Sequence, residues 1–200
     1  MNKKLMGLAV AALYASGAWA ASMQTFVVNV GQGDGVLLQT PGGKRIVIDG
    51  GPTTSATSAF QAFLDKKLVS TVNVMVLTHP HTDHVYGLTT TLQRKVVQSV
   101  YDPKQSYSST AYTNFKNAVL AEKCPYIKSY SGDSYSWDSA LTIKCLNARS
   151  NVTDANNASV ALRIVNGANT LHFSGHPPTS AAQNLEEANS ASSLPATIYK

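Results

Sequence analysis

Histidine and cysteine are both scarce in this chain, with five and two residues among 200. Two cysteines cannot build a cysteine-rich zinc module, and the separation of Cys124 from Cys145 resembles no zinc knuckle. No apolar run reaches the roughly 18–20 residues needed to cross a bilayer, so no stable membrane insertion is expected. No internal repeat is visible, and the one low-complexity stretch is the Ala/Ser/Asn-rich segment 179–193.

The N-terminus carries an address. Lys3 and Lys4 form a basic start, residues 5–15 are apolar, and Ala18-Trp19-Ala20 offers an A-x-A cleavage site. Residues 1–20 therefore read as a signal peptide, and 21–200 as one domain in the periplasm or outside the cell. That length suffices for one real core. Removing Lys3 and Lys4 lowers the formal charge from +5 to +3. A mildly basic domain favours an anionic substrate without establishing nucleic-acid binding. In an oxidising compartment, Cys124 and Cys145 are expected to form a disulfide.

Periodicity gives an alternating α/β order. Strands are expected at 25–30, 35–40, 45–49, 72–77, 96–101 and 141–146. A hairpin at 160–165 and 170–174 turns around Asn166-Gly167. Ala59, Phe60, Phe63 and Leu64 recur at helical spacing, with Thr53, Thr54 or Ser55 as cap. Residues 88–95 suggest a short helix, and Tyr112, Phe115, Val119 and Leu120 mark another helical face.

Three of the five histidines fall in Thr78-His79-Pro80-His81-Thr82-Asp83-His84, directly after the apolar strand 72–77. Four metal-ligating side chains within six residues, at the end of a buried strand, suit zinc. His79 and His81, two apart, can grip one ion. Asp83 and His84 turn onward and can reach a second, at the roughly 3.5–4 Å separation of two-metal hydrolytic sites.

His79-Pro80-His81-Thr82-Asp83-His84 resembles the H-x-H-x-D-H signature of the metallo-β-lactamase superfamily. Val30-Gly31-Gln32-Gly33-Asp34, Ile48-Asp49-Gly50-Gly51, residues 156–162 and Phe173-Ser174-Gly175 are similar to the metallo-β-lactamase-like domain of competence DNA-uptake proteins (the ComEC type) and their secreted relatives. The resemblance covers roughly 25–175. It implies an αββα sandwich, a zinc or manganese centre between two sheets, and hydrolysis of a phosphodiester. It gives Asp83 a catalytic role, and makes Asp49 and Asp34 supports of the metal loop.

The chain also departs from that pattern. Ser174-Gly175-His176 stands where the family has Thr-Gly-Asp, so His176 takes the place of a bridging carboxylate. An imidazole can bind one ion but not bridge two. No histidine follows His176, and the family's last strand and helix are not apparent in the atypical segment 177–200. A truncated or degenerate chain with weak activity is the expectation. His172, inside a buried strand, is expected to pack rather than ligate.

Three functions stay open: a phosphodiesterase acting on DNA or another small anionic substrate; a hydrolase of another bond, such as a lactam or thioester; and a non-catalytic metal- or nucleic-acid-binding module. For the last, Tyr101, Tyr107, Tyr112, Tyr126, Tyr130 and Tyr135 with Lys104, Lys116, Lys123 and Lys128 could line a groove.

Overall fold

A computed structural model describes residues 22–175. Its first sheet holds β1 (Gln24–Val27), β2 (Gly35–Gln39), β3 (Arg45–Gly50), β5 (Val74–Val76), β7 (Val100–Asp102) and β8 (Tyr126–Lys128), in that spatial order. β1, β2 and β3 form an antiparallel meander, and β3, β5, β7 and β8 run parallel. A second, antiparallel sheet has the order β12 (Asn169–Phe173), β11 (Ala161–Asn166), β10 (Thr142–Asn147) and β9 (Ser134–Tyr135). β4 (Thr71–Val72) and β6 (Val96–Val97) form a small separate pair.

Side-chain alternation explains the layering. Val36, Leu38, Ile46, Ile48, Val74 and Val76 face the second sheet, meeting Ile143, Cys145, Leu162, Ile164, Leu171 and Phe173. The intervening Leu37, Val47 and Met75 face the other way. There they meet α1 (Ala59–Lys66), α2 (Thr82–Arg94) and α3 (Thr110–Glu122) through Phe60, Leu64, Val85, Leu88, Leu92, Phe115 and Val119. The first sheet is thus buried on both faces. Helices, sheet and sheet form three layers of the expected αββα sandwich. No described helix is long and apolar enough to cross a membrane.

Several elements differ from expectation. α1 is capped by Ser58, whose hydroxyl accepts from Gln61 N, rather than by a residue at 53–55. The strand expected at 72–77 breaks at Asn73, whose side chain accepts from Arg45 N and donates to Gln98. α2 starts at Thr82, not near 88, so the histidine motif is half loop and half helix. Thr89, Thr90 and Thr91 obscure its apolar period. Thr89 and Thr91 donate to the carbonyls four residues back, at Val85 and Gly87, and Thr90 donates to the Thr54 carbonyl at 3.0 Å.

The disulfide expectation is corrected. Cys124 and Cys145 are both free thiols. Cys124 packs against the helical side of the first sheet, and Cys145 lies between the two sheets. The sheet itself separates them.

Candidate metal centre

β5 delivers Thr78 and His79 to the carboxyl-terminal edge of the parallel strands, and α2 leaves from the same edge. His81 occupies the N-cap position of α2 but makes no side-chain capping bond. Its ring turns instead to His79, with His79 Nε2 and His81 Nδ1 3.1 Å apart. The His79 and His84 ring centroids lie 4.1 Å apart. Asp83 and His84 fall in the first turn of α2, with Asp83 Oδ2 3.9 Å from His84 Nε2.

Asp49, at the end of β3, organises this cluster. It is fully buried, and its two oxygens serve three donors. Oδ1 accepts from Thr78 N at 2.9 Å, while Oδ2 accepts from Thr78 Oγ1 at 2.6 Å and from His84 Nδ1 at 2.8 Å. Because a carboxylate only accepts, the His84 proton belongs on Nδ1. The Thr78 proton is likewise committed to Asp49, so the hydroxyl's lone pair faces His79 Nδ1 at 3.0 Å. His79 therefore carries its proton on Nδ1 as well. In both rings Nε2 becomes the basic nitrogen, the form a metal requires.

The donor set fits a divalent ion. Two nitrogens bound to one tetrahedral zinc at 2.0–2.1 Å stand about 3.3 Å apart, and the His79–His81 nitrogen pair is close to that spacing. Asp34, Asp49 and His84 also offer ligand atoms within 4.8 Å of one another. Since Asp49 already accepts three hydrogen bonds, it suits orienting His84 better than holding an ion itself. Asp34 Oδ2 lies 3.9 Å from His84 Nδ1. Burial works against a charged His84, but Asp49, then Asp83 and Asp34, outweigh it and raise its pKa above the ordinary histidine value.

The structure thus brings together His79, His81, Asp83, His84, Asp49 and Asp34. His176 lies outside the described residues, as do residues 1–20, where a signal peptide was expected, and the segment 177–200. His172 is buried on β12, where it pairs in register with Arg163. Burial first, then Arg163, lowers its pKa.

Three residues at the site escaped sequence reasoning. Thr78 links the two histidines to Asp49. Tyr107 sets its ring edge against His81 at 5.6 Å. Gln32 Nε2 donates to Asp83 Oδ2 at 3.3 Å. Thr78 and Gln32 had only their place inside a motif and a glycine turn as a signal, and Tyr107 had been considered only for a groove. The tyrosines and lysines considered for a groove are largely engaged elsewhere. Tyr112 and Tyr126 both donate to Asp102. Lys104, Lys116 and Lys128 lie over the rings of Tyr126, Tyr112 and Tyr130.

A sandwich with a histidine–aspartate cluster at one sheet edge defines a class of metal-binding α/β proteins. Residues 28–121 match the model of the metallo-β-lactamase superfamily. No curated protein sequence matches the chain. Among solved structures, it resembles the metallo-β-lactamase-fold protein YhfI of Bacillus subtilis, with 17% identity, TM-score 0.52, and 76% of this chain covering 61% of that one. It resembles a Cronobacter sakazakii metallo-β-lactamase with a HARLDQ motif, with 14% identity, TM-score 0.54, and 91% of this chain covering 74% of the other. A metallo-β-lactamase of Hirschia baltica is similar at 15% identity and TM-score 0.50, with 88% and 84% covered. The chain spans about six tenths of the length of YhfI. It has the metallo-β-lactamase fold, and the superfamily model matches its residues 28–121.

Proposed function

We propose that this chain is an exported, metal-dependent phosphodiesterase, with DNA or a smaller phosphodiester as substrate. The observation that carries the reading is the gathering of His79, His81, Asp83 and His84 at one edge, with Asp49 fixing the ring protonation. His79 and His81 would hold one ion, and Asp83 and His84 a second. His176 is an additional candidate ligand, since Gly175, the residue before it, sits against Thr78 and Ser159. A bound zinc or manganese supplies Lewis acidity and acidifies coordinated water.

The chain's own residues do the rest. Asp83, part-exposed in the first turn of α2, would orient the attacking water and accept its proton. Asp49 and Thr78 hold the imidazoles in register. The positive end of α2 points at the site and favours an anion there. Without Lys3 and Lys4, basic residues outnumber acidic ones 14 to 11, which also favours an anionic substrate. The likeness of residues 30–34 and 48–51 to competence-type domains favours a phosphodiester over a lactam or thioester. Export rests on the basic and apolar character of residues 1–20.

The test is turnover of bis-p-nitrophenyl phosphate and linear DNA with added zinc or manganese. Cleavage should require metal and disappear in Asp83→Ala. Activity unchanged in Asp83→Ala would overturn the catalytic assignment. Hydrolysis of a lactam or thioester with no phosphodiester cleavage would overturn the substrate class.

A further inference from the structure

We propose that Gln32 is a positioning residue that sets the Asp83 carboxylate for the second metal. The inference rests on the metal-centre reading above and adds a residue to it.

Two independent contacts carry the proposal. Gln32 Nε2 donates to Asp83 Oδ2 at 3.3 Å across 51 residues of sequence. Next to it, Gly33 lies against the Asp83 main chain so closely that a Cβ at Gly33 would stand 1.9 Å from the Asp83 carbonyl oxygen. One loop therefore grips both the backbone and the side chain of the same residue. Gly31 and Gly33 have φ of 81° and 88°, left-handed values that fix the turn on either side of Gln32. Gly31 N donates to Asn29 Oδ1 at 3.1 Å, which closes the turn from the other side.

The consequence is chemical. Asp83 sits at the start of a helix with its carboxyl part-exposed, where rotation about χ2 would exchange its two oxygens. The Gln32 amide selects Oδ2, the oxygen 3.9 Å from His84 Nε2. A neutral amide does this without adding charge beside a cation. A lysine or arginine in that place would repel the ion that Asp83 is meant to hold.

Cobalt(II) is the probe, added alone to the metal-free full chain and followed by visible absorption and by bound-metal analysis. The wild type is expected to take two ions in separable steps. Gln32→Met keeps the side chain's length but removes the donor. It should weaken one step about tenfold, leave the other unchanged, and leave the thermal midpoint of the metal-free protein unchanged. The weakened step should be the one that Asp83→Asn abolishes. Wild-type cobalt binding in Gln32→Met overturns the proposal. Equal weakening of both steps also overturns it, because that marks general loop packing. A wild type that takes fewer than two ions overturns the metal-centre reading itself, and this is seen before any variant is compared.

Discussion

Replacing Asp49 by asparagine should uncouple the metal site from the fold. Asp49 has φ of 55°, a left-handed conformation that aspartate and asparagine tolerate better than most residues. Asparagine therefore preserves backbone and shape. It keeps one carbonyl oxygen for Thr78 N, but sets an NH2 group against Thr78 Oγ1 and His84 Nδ1, which both donate to the carboxylate. The hydroxyl must rotate to accept, and its proton then turns towards His79 Nδ1. Both imidazoles are driven to the tautomer with Nε2 protonated, which is the wrong one for a ligand. A buried hydrogen bond to a charged group contributes about 1.5–3 kcal/mol, so the folded state should lose about that much. Metal affinity should fall about 10- to 100-fold, as for loss of other groups that orient a ligand. Nitrogen NMR of the histidine rings reads the tautomers, urea unfolding reads stability, and competition with a chromophoric chelator reads affinity. An Asp49→Asn protein with wild-type zinc affinity and Nδ1-protonated rings would refute the relay from Asp49 through Thr78 to the histidines.

The double variant His79→Ala/His81→Ala should retain less zinc or manganese than wild type by elemental analysis, and equal content would remove these two residues from the ligand set. Ellman titration of unreduced protein in urea should find two thiols. In the native protein Cys145 should react slowly, because burial pushes its pKa up to about 12; a titre of zero in urea would restore the disulfide. Asp102 tests the core: burial raises its pKa, against the hydrogen bonds from Tyr126, the Lys104 amide and Tyr112. A raised folded-state value means that the stability gained from the protonated form is full below the unfolded carboxylate pKa and is lost as pH rises through the folded one. Asp102→Asn does not titrate, so its urea midpoint should improve relative to wild type as pH rises above the unfolded carboxylate value of about 4. A constant difference would show that the group titrates alike in both states.

Much of the centre was legible because metal chemistry needs particular side chains at short spacing. His79, His81, Asp83 and His84 could be read from that alone, while Asp49 and Asp34 came only from the family resemblance of the segments that carry them. What could not be read depends on how separate elements pack. The start of α2 was hidden because three threonines and Gly87 interrupt its apolar face, and only the fold shows their hydroxyls satisfied, two within the helix and that of Thr90 on the Thr54 carbonyl. The short β8 and β9 carry no period of their own, being three and two residues long. The cysteines misled because an even count says nothing about which side of a sheet each occupies. The alternation of Leu141, Ile143 and Cys145 with exposed Thr142 and Lys144 already placed Cys145 on the inner face.

The left-handed backbone at Asp49 also shows which effect dominates at the centre of the site. That conformation costs an L-residue about 1–2 kcal/mol. Glycine would relieve it, and Gly50 and Gly51 follow immediately in the chain. Yet Asp49 accepts three buried hydrogen bonds, and each donor left without a partner would cost about 1–3 kcal/mol. The bonds therefore outweigh the strain severalfold, and the strain persists because the surrounding structure fixes it. The neighbouring glycine serves a different end: a Cβ at Gly50 would stand 2.4 Å from Leu88 N, and one at Gly87 would stand 1.8 Å from the Gly50 carbonyl oxygen. β3 and α2 thus touch backbone to backbone one residue beyond Asp49. That contact fixes the helix whose first turn carries Asp83 and His84. Asp49 sets the protonation of His79 and His84, Gly50 sets where the helix of His84 lies, and neither residue could take the other's place.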